Sequence, residues 1–215
     1  MRLVATINFG SVWYAEQTVP FMRRYAQRIG ADFLEITRFA NPAVFGPNPI
    51  WAKIEAIQFL ASQSRYRSML LLDADILILP TCPDIFQQDV GNIAIVQDMG
   101  IPNVDDRFRQ WCRHYFDATP ANGPYFNSGV LVINKQAAVR CASILKGPYP
   151  NGWAAEQHYL NLMLPRHEQL TWLPHSFNWL APQFRDGSLK QNLVHFVGDH
   201  KKLLPDFVKF AEKHL

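Results

Sequence analysis

Cysteine is scarce in this chain: three in 215 residues, at Cys82, Cys112 and Cys141. An odd count without close spacing excludes a disulfide framework and a zinc-ligand pattern, so the thiols are read as reduced. Long apolar runs are missing too. No stretch reaches the roughly 20 residues of a membrane helix. No apolar leader is visible, since Met1 runs straight into a strand-like segment, Leu3 to Ile7. These absences predict a cytoplasmic protein, with peripheral membrane contact left open. Charge of one sign is also lacking. Lys and Arg number 21 against 18 Asp and Glu, a net charge of +3 with no long basic run, which gives no footprint for nucleic acid. The small positive excess is compatible with an anionic ligand and does not require one.

What is present is a globular composition, 48% hydrophobic and 18% charged, which argues against disorder. A chain of this length can bury a large core as one domain, taken here as 1–215. Residues 2–8 read as a first strand. Val12, Ala15, Val19, Met22, Ala26 and Ile29 then recur at helical spacing, with Pro20 predicted to start or kink the helix and Gly30 to end it. Asp32 to Thr37 is a second strand, and 41–49, with three prolines and a glycine, a surface loop. Trp51 to Gln63 is a helix. Leu70 to Asp75 and Ile76 to Leu79 are strands, as is Asn92 to Val96. Asp105 to Phe116 is a helix whose apolar side carries Phe108, Trp111, Cys112 and Tyr115. Phe126 to Asn134 is a strand, Gln136 to Leu145 and Ala154 to Leu164 are helices, Leu170 to Leu173 and Asn192 to Phe196 are late strands, and Leu203 to His214 is a closing helix. Strands alternating with helices predict an α/β fold with a mixed or parallel sheet flanked by helices.

The most informative stretch is Leu70-Leu71-Leu72-Asp73-Ala74-Asp75, an apolar run ending in two carboxylates one residue apart. Such a run reads as a strand buried on both faces, hence a parallel one. Asp73 and Asp75 share a face if the chain stays extended. Two like charges held together call for a divalent cation, and strand carboxyl ends are where open α/β sheets bind ligands. A polar turn after the strand is the plain alternative.

Four other segments carry more polar chemistry than a core requires. Lys53 opens a helix, where the dipole disfavours a cation unless an anion faces it; a solvated lysine is the alternative. Phe126-Asn127-Ser128-Gly129 puts polar groups and a glycine at the edge of a buried strand, as for close approach to a ligand, or as a bulge. Glu156 and Gln157 stand at a helix start, where Glu is also favoured for its own sake. Val194-His195-Phe196-Val197-Gly198-Asp199-His200-Lys201 delivers an imidazole from a strand and a Lys from a glycine turn. Two carboxylates and one imidazole, completed by water and phosphate oxygens, make an octahedral site that selects magnesium or, with the His nitrogen, manganese. Such an ion takes up charge on a departing diphosphate, and Lys201 adds a second positive charge.

The ordered segments WAKIEAIQFL, MLLLDADILIL, PDIF, YFNSGVLVIN, AEQHYLNLML, LPHSFNWL and LVHFVGDHK resemble those of family 8 glycosyltransferases, the group of glycogenin and the bacterial lipopolysaccharide galactosyltransferases. The resemblance implies the GT-A fold, a Rossmann-like mixed sheet flanked by helices. It also implies retaining transfer of a hexose from a UDP-sugar to a carbohydrate or glycoconjugate acceptor, with Mn2+ or Mg2+ as cofactor. On it, Asp73, Asp75 and His195 hold the metal. Lys53 and Asp75, with Asp73 and Ala74, lie near the donor phosphates and ribose, and Gly198 and Lys201 hold the diphosphate. Asn127, Ser128, Glu156 and Gln157 meet the donor sugar, with Gln157 and Glu156 placed to assist catalysis. Thr6 and Asn8 are the candidates for the nucleobase, with Tyr14 as a stacking partner. His175 to Gln191, with Phe177, Trp179 and Phe184 and a turn at Asp186-Gly187, is the candidate acceptor segment, and loops 41–49 and 98–104 are candidates to close over the donor. Two other functions remain open. A haloacid dehalogenase-type, magnesium-dependent phosphohydrolase would use Asp73 as nucleophile, with Gly198-Asp199 and Asp206 as its later acids. A non-catalytic sugar-nucleotide-binding protein would keep the fold alone.

Overall fold

The computed structural model describes residues 1–10, 12–152, 154–181 and 191–213. Strand β1 (Arg2–Ile7) leads into helix α1 (Trp13–Arg28), then β2 (Asp32–Ile36), the single turn α2 (Pro42–Phe45) and α3 (Ala52–Ser62). Strands β3 (Ser68–Asp73), β4 (Ile76–Ile78) and β5 (Ile93–Gln97) follow, then α4 (Asp106–Phe116), β6 (Phe126–Asn134), α5 (Lys135–Ile144) and α6 (Ala155–His167). The last elements are β7 (Leu170–Trp172), β8 (Trp179–Leu180), β9 (Leu193–His195) and α7 (Leu204–Glu212). Six strands form one sheet in the order β2-β1-β3-β6-β5-β7, and three form a second in the order β4-β9-β8. Among the described residues no helix is long and apolar enough to cross a membrane.

The central strands are apolar on both sides because both sides are covered. Leu3, Ala5, Met69, Leu71, Ile93, Ile95, Leu131 and Ile133 pack with α3, α5 and α6. Their neighbours Val4, Leu70, Leu72, Ala94, Val96, Val130 and Val132 pack with α1 and with Ile76 and Ile78 of β4. Strand alternation thus sorts one apolar sequence into two cores. The burial of β3 led to an expectation of parallel pairing. It is parallel to β1 but antiparallel to β6, so the sheet is mixed. A central position buries both faces whichever way the neighbour runs.

Three local features depart from the sequence reading. Helix α1 starts at Trp13 and runs through Pro20, so the proline neither starts nor ends it. Pro20 is exposed, and its buried neighbours Thr18, Val19, Phe21 and Met22 hold the helix to the sheet on either side of the missing hydrogen bond. The 41–49 loop contains α2, whose Phe45 is buried. Tyr115 is 39% exposed, off the apolar face of α4 that Phe108 and Cys112 form. Gly30 does end α1, with φ at +65°. Cys82, Cys112 and Cys141 are free and buried. The expected helix end at His214 lies outside the described residues.

Leu71 is fully buried in β3, between β1 and β6. Leu71→Ala removes packing from the larger core and should lower unfolding stability by about 2–5 kcal/mol in urea denaturation.

Candidate active site

The site begins where β3 ends. The chain does not stay extended through Asp73-Ala74-Asp75. It turns at Ala74 and Asp75, and β4 leaves for the second sheet. The two carboxylates converge because of that turn and not through strand alternation. Strand β4 pairs antiparallel with β9 in a register that sets Ile76 opposite His195, and Phe196 N–H donates to the Asp75 carbonyl at 3.0 Å. The imidazole is thereby delivered beside the acids. His195 Nε2 lies 3.1 Å from Asp75 Oδ1 and 3.8 Å from Asp73 Oδ2. One ligand atom from each of Asp73, Asp75 and His195 falls within 4.8 Å of the others, a spacing that suits a shared cation. Gly198, at φ +55°, opens a 3-10 segment, Gly198–Leu203, that carries Lys201. Lys201 Nζ bonds Asp75 Oδ2 at 2.7 Å and lies 4.9 Å over the Tyr14 ring. Burial alone would raise the Asp75 pKa, but His195 and Lys201 outweigh it and hold the carboxyl well below the usual range.

Lys53 stands across from this group at the start of α3. Its Nζ meets Asp73 Oδ1 at 2.8 Å, Glu156 Oε2 at 3.3 Å, and both the carbonyl and hydroxyl oxygens of Ser128 at 3.1 Å. An ammonium this buried would lose its proton more readily, yet the carboxylates of Asp73 and Glu156 raise its pKa overall. The anion anticipated opposite Lys53 therefore includes the protein's own acids. Glu156 has the opposite balance. Burial pushes it up to about 7, with Lys53 only partly opposing. Its Oε1 is buried and has no hydrogen-bond partner among the described residues.

Two residues that sequence reasoning missed tie these parts together. Asp98, just past the end of β5, accepts on Oδ1 from the Gly100 and Ile101 N–H groups at 2.8 and 3.0 Å, and on Oδ2 from Asn127 Nδ2 and Gln157 Nε2, both at 3.1 Å. An acid directly after a buried strand was the available signal, the same one that marked Asp73. Gln157 Oε1 accepts from Ser128 N–H at 3.0 Å and from the Ser128 hydroxyl at 3.3 Å. Asn178, only 1% exposed, joins Asn127 to His195. Nothing in its local sequence pattern separates it from a loop asparagine.

These groups line a cavity of about 560 Å³. Lys53, Asp73, Ala74, Asp75, Asn127, Ser128, Glu156, Gln157, His195 and Gly198 all face it, as does Tyr14, while Lys201 reaches the site through Asp75. Thr6 and Asn8 are not brought there. Thr6 is fully buried, and Asn8 lines a separate depression, where its Nδ2 donates to Glu35 at 2.7 Å. Ile7 and Phe9 line the cavity instead. An offset of one residue turns a side chain to the other face, and the sequence alone does not set that phase. Gly129 does make a close approach, but to His195: a Cβ there would fall 2.4 Å from His195 Cε1. From the two candidate loops, Pro49 and, on the other side, Asp98, Gly100 and Ile101 face the cavity. Of the candidate acceptor segment, Leu180 faces it and Phe177 is core; Phe184 and the Asp186-Gly187 turn lie outside the described residues. Asp199 and Asp206, the later acids of the phosphohydrolase reading, are exposed and off the cavity, Asp206 being 3.9 Å from Lys209. That reading loses its metal-binding acids.

No protein-family model and no curated protein matches the chain. Its fold is nevertheless that of solved glycosyltransferases. A glycosyltransferase involved in the glycosylation of the major capsid of PBCV-1 superposes with a TM-score of 0.63 at 15% identity, covering 97% of this chain and 98% of that one. The galactosyltransferase LgtC, in complex with donor and acceptor sugar analogues, gives 0.63 at 14% identity, over 99% of this chain and 96% of that one. The glycosyltransferase GlyE of Streptococcus pneumoniae TIGR4 gives 0.58 at 14% identity, over 99% of this chain and 62% of that one. The expected GT-A architecture is therefore present.

Two outcomes follow from the site's packing and charge. Gly129→Ala pushes a methyl group into the His195 ring and should destabilise the protein by about 1–3 kcal/mol, read as a lowered denaturation midpoint. Glu156 binds its proton more tightly folded than at its ordinary value of 4.5, so its contribution to stability is complete below pH 4.5 and is lost as pH rises to about 7. The stability difference between wild type and Glu156→Gln, measured by urea denaturation across that window, should shift against the wild type as pH rises.

Proposed function

We propose that residues 1–215 are one catalytic domain of a metal-dependent, retaining glycosyltransferase that moves a hexose from a UDP-sugar to a carbohydrate or glycoconjugate acceptor. The observation that carries this reading is the meeting of Asp73, Asp75 and His195 in a cavity large enough for a nucleotide sugar. The donor set fits a divalent ion: two hard carboxylates and one imidazole favour manganese or magnesium. When bound, such an ion supplies the positive charge that stabilises a departing diphosphate.

The chain's own residues have distinct tasks in this reading. Asp73, Asp75 and His195 hold the ion. Lys201 transfers its contact from Asp75 to a phosphate oxygen, and Gly198 lets the backbone of that turn approach the diphosphate. Lys53 keeps Asp73 in place, and the Ala74 turn faces the ribose. Ile7, Phe9 and Tyr14 offer an apolar seat for the nucleobase, replacing Thr6 and Asn8. Glu156 Oε1, buried and without a partner, is the acceptor left over for a sugar hydroxyl. The Gln157 amide, held by Asp98 and Ser128, stands beside it toward the reacting sugar. Asn127 and Ser128 form the floor. Loops 41–49 and 98–104 close over the donor and limit hydrolysis by water. The three buried thiols suit a cytoplasmic setting.

UDP with Mn2+ should raise the melting temperature more than either alone, because both bind only the native state; ligand at about 100 times its Kd adds about 2.7 kcal/mol. A screen of UDP-sugars should show slow, Mn2+-dependent hydrolysis of one of them. Asp75→Asn should abolish it while unfolding stays cooperative. Background hydrolysis with every sugar nucleotide, together with a UDP shift, would instead identify a binding protein.

A further inference from the structure

We propose that the backbone N–H of Gly129, acting through the side-chain amides of Asn127 and Asn178, fixes a proton on His195 Nδ1 and so reserves Nε2 for a cation. Asn178 is thus a positioning residue for the imidazole. The consequence for metal binding rests on the function proposed above; the geometry does not.

A neutral imidazole has one N–H and one bare nitrogen, and the two tautomers are close in energy until a neighbour selects one. Only Nε2, on the side of Asp73 and Asp75, can give a lone pair to a cation shared with them. Amide side chains are themselves ambiguous, because oxygen and nitrogen exchange on a flip. Here the ambiguity is removed by a group that cannot flip. The Gly129 backbone N–H can only donate, and it meets Asn127 at 2.9 Å, so the Asn127 atom there is the carbonyl oxygen. The same oxygen takes a second hydrogen bond at 2.9 Å from Asn178, so the Asn178 atom facing it is the amide nitrogen. Asn178 then turns its oxygen to His195 Nδ1 at 3.0 Å, and an amide oxygen can only accept. Nδ1 therefore carries a proton, and Nε2, 3.1 Å from Asp75 Oδ1, is the nitrogen left to give a lone pair to a cation standing between them.

The other end of the relay agrees. Asn127 Nδ2 donates to Asp98 Oδ2 at 3.1 Å, and Asp98 also accepts two backbone N–H groups. Flipping Asn127 would set N–H against N–H at Gly129 and oxygen against oxygen at Asp98. No solvent is at hand to repair such a mismatch, since Asn178, His195 and Asn127 are 1%, 3% and 7% exposed. A buried donor without a partner costs about 1–3 kcal/mol, which is enough to select one arrangement. Gly129 serves twice: its N–H sets the polarity, and its missing Cβ leaves room for the ring that the polarity orients.

Metal-free wild-type protein, 15N-labelled at histidine, tests the first statement by long-range 1H–15N correlation. The expected spectrum has a proton on Nδ1; an Nδ1 without a proton overturns the proposal. The second test is a titration with Mn2+ alone, followed by electron paramagnetic resonance. Asn178→Leu removes the acceptor and should weaken Mn2+ binding about ten- to a hundredfold. Asn178→Asp keeps an acceptor toward Nδ1 but sets oxygen against Asn127 Oδ1, and should recover part of that loss. A folded Asn178→Leu protein that binds Mn2+ as wild type does would overturn the role of Asn178. Should Asn178→Leu not fold, the wild-type spectrum decides. Wild-type protein that binds no Mn2+ defeats the metal-dependent reading, and the spectrum still judges the relay.

Discussion

One backbone register underlies the site. Strand β9 lies antiparallel to β4 so that His195 stands opposite Ile76, the residue after Asp75. A slip by one residue would turn the imidazole to the opposite face and place Val194 or Phe196 beside the carboxylates. The pairing is short, three residues on each strand, so hydrogen bonds alone do not specify it. Packing does. Ile76, Ile78 and Leu193 enter the core beneath the main sheet, while Leu77, Val194 and Phe196 enter a separate cluster with Phe21 and α7. Both faces of this small sheet are buried, and any slip would exchange the two sets.

The second constraint is charge. Asp73, Asp75 and Glu156 would repel one another in a site removed from water. Lys53 sits between Asp73 and Glu156, and Lys201 and His195 flank Asp75. The acids respond unequally. Asp75, beside Lys201 and His195, is held ionised, whereas Glu156, sharing a single lysine and more deeply enclosed, is shifted toward its neutral form. Carboxyl groups in one cavity thus acquire different protonation behaviour from their surroundings alone.

Much of the architecture was legible. The apolar runs at β3 and β6 and the helical spacing of α1 and α3 each report a local preference, and the local preference prevailed. Failures came where tertiary packing outweighs a local rule. Pro20 reads as a helix break, yet buried residues on either side carry α1 through it. Asp73 and Asp75 read as sharing a face of one strand, yet the chain turns between two sheets. Thr6 and Asn8 read as the face of β1 toward the ligand, yet Ile7 and Phe9 occupy the cavity, because an apolar strand buried on both sides carries no polar mark of which side is which.

The residue types that meet in the cavity follow from the linear chain: acids at the end of an apolar run, a lysine at a helix start, an amide-rich strand edge, a histidine before a glycine turn. Each is a local pattern, and local patterns are written in adjacent residues. Their relation to one another is not. The β4–β9 register that seats His195, the assignment of Lys53 to Asp73 and Glu156, and the orientation of Asn127 and Asn178 all depend on distances between residues far apart in sequence. Only the folded chain sets those distances, through the requirement that both sheets bury their apolar faces and that each enclosed donor meet an acceptor.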